Sequence, residues 1–175
     1  MMEEEIREGE KISKFYEARP LSLRVALTAI TAALYIALGY LFQAFSFLGV
    51  QFRVAELVVG MCIIFPLEGL VGKIIGVFFV NLFSPLGPID LLSTIVNVPA
   101  LYCIVYFRNK GKLKYLGGTL YAIIISLYVA IILHLVLALP IWLMFLQVLI
   151  SELILANLGI LLFDRVKKML ELEEK

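Results

Sequence analysis

Residue types that usually build catalytic or metal centres are scarce in this chain. It has one histidine and two cysteines, Cys62 and Cys103, and no CxxC pair. It also lacks a GxSxG element, a glycine-rich phosphate loop and a paired acidic motif. Both cysteines lie in apolar runs, so we expect them to be buried packing residues rather than to have a disulfide or metal role. The sequence therefore predicts no enzyme, no cofactor, no metal centre and no ATP site.

Charged side chains are also scarce between residues 20 and 163, where long apolar runs dominate. Hydrophobic residues make up 62% of the 175 residues, whereas a soluble domain is about 45–50% apolar. The runs approach the roughly 20 residues that a helix needs to cross the hydrocarbon. We expect an all-α integral membrane protein with six transmembrane helices, at about 21–42, 54–65, 67–83, 89–107, 116–139 and 141–163. The second span is short, so we expect it to be tilted or extended by the preceding loop.

The distribution of basic residues predicts the orientation. Most lie in 1–19, in 108–115 and beyond residue 164, with Arg24 just inside the first span, and only Arg53 is basic on the opposite side. Because basic residues favour the cytoplasmic side, we expect both termini there in a multi-pass protein of the cell membrane. We divide the chain into a cytosolic tail 1–19, one membrane domain 20–166 and a cytosolic tail 167–175. Lys73, one turn into the third span, is expected to extend back to the inner surface.

Small residues at helical spacing predict close helix contacts. Ala29, Ala33 and Ala37 form a stripe on the first span, and Gly72 and Gly76 form a pair on the third. Small-xxx-small spacing lets backbones approach closely in lipid, where little hydrophobic force acts between helices. We assign the glycine pair to packing inside the bundle. The spacing of the alanines fits an internal and an external partner helix equally well.

Polar side chains collect in the half of the bundle that we expect to face outward. An ionised group at the centre of a spanning helix costs about 2.5–3.5 kcal/mol on insertion scales, so it needs a partner, a wet cavity or a ligand. The Pro85–Pro88 turn adds irregular backbone, which membranes tolerate where it lines a cavity or is buried in protein. We therefore predict a solute site. Its candidate residues are Gln51, Arg53, Glu56, Asn81, Asp90, Asn97, His134, Trp142 and Glu152.

Structural roles remain open for the charged candidates. Arg53 and Glu56 lie three residues apart and can pair with each other on one helix face. Asp90 can instead cap the N-terminus of the fourth span. Glu152 lies about three turns into the sixth span among apolar residues and needs a partner.

The uncharged candidates have structural alternatives as well. Asn81 and Asn97 can hydrogen-bond between helices. A lone histidine such as His134 is more often a satisfied interior residue than a ligand. Trp142, which follows Pro140, can anchor the chain at the membrane interface as well as stack on a solute.

Several blocks of the sequence, in their order and spacing, resemble the QueT family. They are Gln51–Glu56, Gly69–Gly72 and Asn81–Asp90, followed by Leu139–Leu143 and by Ser151–Leu153 before Gly159. The resemblance covers roughly residues 22–165. QueT proteins are substrate-binding S components of energy-coupling-factor (ECF) transporters and are assigned to queuosine precursors.

The resemblance implies a partner and an architecture. S components have six helices with both termini in the cytoplasm, bind a micronutrient near the outer face and dock on a T subunit that carries two ATPases. In several of them an alanine stripe on the first helix contacts the T subunit. Ala29, Ala33 and Ala37 match that stripe, which favours an external partner.

The resemblance also implies a ligand. A 7-deazaguanine base offers adjacent ring N–H and amino donors, which a carboxylate accepts as a pair. We assign that role to Glu56 and Glu152. The donor to the ring carbonyl would be Gln51, Asn81 or Arg53. The ring that stacks on the base would be Trp142 or Phe52.

The fifth span departs from the family pattern, which usually carries an Asn and a Glu before the outer turn. Here His134 is the only strongly polar residue between 129 and 135. The pocket therefore also fits another vitamin-like nutrient. Two other classes remain: a stand-alone secondary transporter with Glu152 and His134 as proton carriers, and a non-transporting scaffold built on the alanine stripe.

Overall fold

The computed structural model describes residues 19–42 and 52–173, with side chains to residue 169, and all regular structure in these ranges is helical. Gln51 and most of the N-terminal tail lie outside the described residues. The α-helices are α1 (Leu21–Leu41), α2 (Met61–Ile64), α3 (Pro66–Leu82), α4 (Leu92–Phe107), α5 (Lys114–Leu137) and α6 (Ile141–Glu173). Short 3-10 helices precede α2, α4 and α5 at Val54–Gly60, Pro88–Leu91 and Gly111–Leu113.

The helix boundaries follow the expected segments closely, because Pro and Gly mark the turns between them. Pro66 begins α3, where its missing N–H costs nothing. Ala138 ends α5 in the left-handed conformation with φ 54°, two residues before Pro140. The sixth helix differs from its prediction: it continues past Phe163 to Glu173, since the residues there include good helix formers and no Gly or Pro.

Four of the described helices are long and apolar enough to cross a membrane. They are Leu21–Leu41, Pro88–Phe107, Gly111–Leu137 and Ile141–Met169. The third predicted span, α3, has 17 residues. Large apolar side chains are exposed along these helices, for example Ile95, Leu127 and Ile154. Such an exterior suits lipid rather than water.

The short second span that we predicted corresponds to a largely buried helical segment, Val54–Ile64, which we call the central segment. Seven of its residues form a 3-10 helix and the last four form α2. A 3-10 helix rises about 2.0 Å per residue against 1.5 Å in an α-helix, so the segment spans roughly 20 Å. It packs against α6 and α1. The central segment is therefore longer than an α-helix with the same number of residues would be.

Glycines let the helices approach at two places. A Cβ at Gly60 would collide with the carbonyl oxygen of Gly159, so the central segment and α6 touch backbone to backbone. A Cβ at Gly76 would lie 2.8 Å from the Tyr35 Cβ, and one at Gly72 would lie 2.6 Å from the Thr31 Cβ. The prediction that the Gly72 and Gly76 pair packs inside the bundle is therefore confirmed.

The bundle has two distinct ends. The turns at 83–91 and 138–140 lie at one, which we call the turn end, and the segment 108–113 lies at the other, the basic end. Both cysteines are free; Cys62 is buried in the core, but Cys103 is partly exposed, contrary to the expectation that it is buried.

Candidate functional site

Glu56 of the central segment lies in a closed network of polar groups. Its side chain is 1% exposed. Lys73 Nζ lies 2.7 Å from one carboxylate oxygen, and the Tyr121 hydroxyl donates to the same oxygen. The Tyr35 hydroxyl donates to the other oxygen at 2.8 Å. Since both oxygens are engaged, Glu56 has little capacity left for a ligand.

Lys73 is the cation of this network and is fully buried in α3. Nζ also donates to Asn97 Oδ1 at 3.1 Å and contacts the Tyr121 hydroxyl. The expectation that Lys73 extends to the inner surface is therefore wrong, because a buried carboxylate within reach stabilises the ammonium in the interior. Glu56 pairs with Lys73 and not with Arg53, the partner that the sequence spacing had suggested. We call these residues the Glu56 network: Tyr35, Glu56, Lys73, Asn97 and Tyr121.

Glu152 of α6 presents the opposite situation. Its side chain is 0% exposed, and neither carboxylate oxygen has a hydrogen-bond partner in the described part of the chain. Glu56, Arg53 and Lys73 all act on it electrostatically. A buried carboxylate with both oxygens unpartnered is costly, so it marks a place where a ligand can bind.

Asp90 is a second buried carboxylate, 2% exposed, in the 3-10 helix before α4. Its Oδ2 has no hydrogen-bond partner among the described residues. No side-chain hydrogen bond caps the start of this 3-10 helix or of α4. Asp90 therefore lies in the first turn of the 3-10 helix without making a capping hydrogen bond, and its Oδ2 remains available.

Arg53, which immediately precedes the central segment, lies within electrostatic range of Asp90, Glu152 and Glu56. Tyr128 of α5 borders the same region: its hydroxyl donates to the Ile89 carbonyl oxygen at 3.1 Å, and the charges of Asp90 and Arg53 act on it. We call Arg53, Asp90, Tyr128 and Glu152 the carboxylate site. Unpartnered carboxylate oxygens in this site lie within electrostatic range of one guanidinium.

The two candidate asparagines form hydrogen bonds between helices, which is the structural role that we considered for them. The Asn81 amide donates to the Asp90 carbonyl oxygen at 3.3 Å and to the Ser93 hydroxyl, which joins α3 to the start of α4. Asn97 accepts from Lys73 and donates to the Ser93 carbonyl oxygen at 2.9 Å. Asn81 therefore positions the turn end at Asp90, whereas Asn97 belongs to the Glu56 network.

His134 and Trp142 lie away from the buried groups. His134 is exposed near the end of α5, with Nδ1 2.8 Å from the Leu139 carbonyl oxygen. The expectation of an interior histidine is wrong, because His134 lies on the outside of α5 and its ring contacts the turn that follows this helix. Trp142 is 75% exposed and packs edge-on against Phe145.

The sequence interpretation missed the tyrosines of the site. Tyr121 and Tyr128 lie seven residues apart and therefore share one face of α5. That spacing could have identified them, as could the cost of placing Lys73 in the middle of an apolar helix. Tyr35 had no such signal, since its partner Glu56 comes from a separate element.

A separate groove runs along the exterior between α1 and α3. It is open, about 670 Å³ in volume, and its walls include Ala29, Ala33, Val71 and Phe79. Ala29, Ala33 and Ala37 are all exposed. Within the groove Arg24 pairs with the buried Glu68 at 2.8 Å. The alanine stripe thus borders a largely apolar surface that could receive another helix.

Comparison with known proteins gives one match. A family model described as QueT transporter matches residues 25–168 of the chain. No curated protein and no solved structure matches it.

Proposed function

We propose that this chain, which belongs to the QueT transporter family, is the substrate-binding membrane subunit of an ECF-type ABC importer for a queuosine precursor. The family is one of membrane transporters, and the apolar helices suit a membrane protein. The ECF assembly and the 7-deazaguanine substrate are the proposal. The observation that carries it is Glu152, a fully buried carboxylate with two unpartnered oxygens.

Glu152 suits recognition of the base better than Glu56. The two oxygens of one carboxylate accept the ring N–H and the amino group of a 7-deazaguanine side by side. Glu56 is already engaged by Lys73, Tyr35 and Tyr121. We therefore assign base recognition to Glu152 and a supporting role to the Glu56 network.

Other candidate residues take secondary roles in this proposal. Arg53 is the donor for the ring carbonyl, since the Asn81 amide is occupied by Asp90 and Ser93. Phe52, half-buried beside Arg53, replaces the exposed Trp142 as the candidate stacking ring.

The exterior supports a membrane partner. The alanine stripe is exposed and borders the apolar groove, and small residues allow close approach of a partner helix in lipid. We propose that an ECF T subunit with two ATPases docks there. The basic residues at 108–114 favour the cytoplasm for the basic end. We propose that both termini are cytoplasmic as well and that the turn end faces outward.

The competing secondary transporter needs Glu152 and His134 to act together on protons. His134 is exposed and hydrogen-bonded at the end of α5, so it is poorly suited to a buried proton path. We therefore favour an importer energised by other subunits.

Titration calorimetry of the detergent-purified protein with 7-deazaguanines tests the substrate. Glu152→Gln keeps the shape of the side chain but replaces one acceptor with a donor. Hydrogen bonds to charged groups contribute about 1.5–3 kcal/mol each, so affinity should fall on the order of 100-fold. Glu68→Gln, an equally buried carboxylate in the exterior groove, serves as the matched control and should bind normally.

Thermal unfolding would establish that both variants are folded. Unchanged affinity in Glu152→Gln would remove this residue from the site. Absence of any 7-deazaguanine binding by the wild-type protein would contradict the proposed substrate.

A further inference from the structure

Two stretches of the chain, 108–114 and 164–169, form a surface with a large surplus of positive charge, which we call the basic surface. Asp164 is the one carboxylate in these stretches. Residues 170–175 add one Lys and three Glu by sequence, so 108–114 and 164–175 together keep a surplus of four positive charges. The seven basic residues of the surface are Arg108, Lys110, Lys112, Lys114, Arg165, Lys167 and Lys168.

Side-chain contacts join the two stretches and leave part of the charge uncompensated. Lys114 Nζ lies 2.6 Å from Asp164, and Lys168 Nζ lies 3.3 Å from the other oxygen of the same carboxylate. Lys167 Nζ donates to Asn109 Oδ1 at 3.5 Å, which brings α6 beside the segment 108–113. Four cations of the surface form no ion pair with a described residue: Arg108, Lys110, Lys112 and Arg165.

On α6 these cations border apolar side chains that face outward. Successive residues of an α-helix are about 100° apart, so Arg165 lies between Lys168 and Met169 around the helix axis. Leu162 and Val166 lie on the same side of α6 as Met169, and all three are exposed. The basic surface is therefore continuous with the apolar exterior of the bundle.

The end of α4 has the same character. Tyr102 and Tyr106 are exposed one turn apart, and Lys110 Nζ lies 3.8 Å from the centroid of the Tyr106 ring. Tyrosines are enriched where a membrane meets water, and lysine can cover an apolar surface with its stem while its ammonium group stays in water. The cations of this end thus lie where the apolar exterior stops.

We propose that the basic surface binds the headgroups of anionic phospholipids, while their acyl chains lie along the exposed apolar sides of α4 and α6. Lys and Arg donate charge-assisted hydrogen bonds to phosphate oxygens. An acidic protein domain would use the positive charge but not the apolar border, so the combination favours lipid. Because this surface is separate from the carboxylate site, the inference does not depend on the identity of the solute.

Lipid competition tests the proposal on the full-length protein. The protein is held on a resin in neutral detergent micelles with equal amounts of phosphatidylglycerol and phosphatidylcholine that carry the same acyl chains, and the retained lipids are counted by mass spectrometry. Each basic residue near an anionic surface contributes roughly fivefold in affinity, so we expect phosphatidylglycerol to be favoured roughly 25- to 100-fold at low ionic strength. Salt at about 1 M should remove most of this preference, because it shortens the screening length to about 3 Å.

Variants then locate the effect. The double variant Lys110→Gln, Lys112→Gln should lower the preference at least roughly fivefold, and both side chains are exposed, so the fold should be unaffected. Lys110→Arg, Lys112→Arg keeps both charges and should keep the preference. Lys11→Gln, Lys14→Gln removes the same charge from the N-terminal tail and should leave the preference unchanged.

Equal retention of the two lipids by the wild-type protein would overturn the proposal. It would favour instead residues 1–18, which carry six Glu and three basic residues, as the partner of this surface. Equal losses in the Lys110→Gln, Lys112→Gln and Lys11→Gln, Lys14→Gln variants would overturn the location. Release of the bound lipid by inorganic phosphate at matched concentration would show a phosphate site to which acyl chains add nothing. The solute titrations test the proposed function separately, so either proposal can fail without the other.

Discussion

Glu56 and Glu152 are the same residue type at almost the same burial, but their surroundings differ. The carboxylate of Glu56 is engaged by an ammonium group and two hydroxyl groups. That of Glu152 has no partner in the described part of the chain. Burial alone therefore does not separate a satisfied carboxylate from an available one; the donors that other helices bring to each oxygen do.

Replacing Lys73 with Met should destabilise the protein strongly. Removal of one partner from a buried ion pair costs about 3–5 kcal/mol, because the remaining charge is left uncompensated. Thermal unfolding in detergent would measure the loss. The double variant Lys73→Met, Glu56→Gln should recover part of it, since the isolated charge is gone.

Lys168→Met is the control for this substitution. Lys168 is 63% exposed, and Asp164 retains Lys114 at 2.6 Å. Loss of such an exposed pair costs at most about 1 kcal/mol. Equal destabilisation by Lys73→Met and Lys168→Met would contradict the structural role given to Lys73.

At the scale of elements, the central segment determines where the site lies. Arg53, the residue that precedes its 3-10 helix, lies within electrostatic range of Asp90 and Glu152, and Glu56 lies beside Lys73 one turn later. The segment can occupy the middle of the bundle because Gly60 and Gly159 let its backbone touch that of α6. A bulkier residue at this crossing would move the site as well as the helix.

Gly60→Ala should therefore destabilise the fold. The added Cβ would meet the Gly159 carbonyl oxygen and the Phe163 ring, and backbone atoms cannot give way as a flexible side chain can. Overpacking of this kind costs typically about 1–3 kcal/mol. Ala37→Ser on the exposed face of α1 is the control, and its unfolding temperature should stay at the wild-type value. A Gly60→Ala protein as stable as this control would show that the crossing can open without cost.

At the scale of the whole molecule, the carboxylate site, the exterior groove and the basic residues occupy separate regions. The carboxylate site lies inside the bundle, the groove lies on the exterior between α1 and α3, and many basic residues lie at one end. Such separation suits a subunit that binds its solute in one place and its energising partner in another. Under the proposed function, solute binding and docking should therefore be removable one at a time.

Ala33→Leu should separate them. The larger side chain fills the groove, and a clash of about 1–3 kcal/mol would weaken docking by roughly tenfold or more. We expect copurification with a T subunit and solute uptake to fall, while titration calorimetry shows normal solute binding. Leu127→Ala, an exposed change on α5 outside the groove, should leave uptake unchanged. Wild-type copurification by Ala33→Leu would exclude this face as the docking surface.

Much of the helix pattern was predictable because strong local signals mark it. Apolar runs close to the length that a membrane-spanning helix needs determine the helix lengths, and Pro66 and Pro140 mark turns between helices. The internal role of Gly72 and Gly76 followed from spacing. The 3-10 geometry of residues 54–60 and the extension of α6 to Glu173 did not, since neither has a distinctive local sequence.

The sequence by itself determined that this is a helical membrane protein and that its interior carries more polar groups than lipid tolerates. Only the tertiary structure decided which of these groups satisfy one another. It paired Glu56 with Lys73, moved His134 and Trp142 to the exterior and left Asp90 and Glu152 without partners among the described residues. The physical reason is that a buried charge is stabilised within a few ångströms, by donors from helices far apart in the chain.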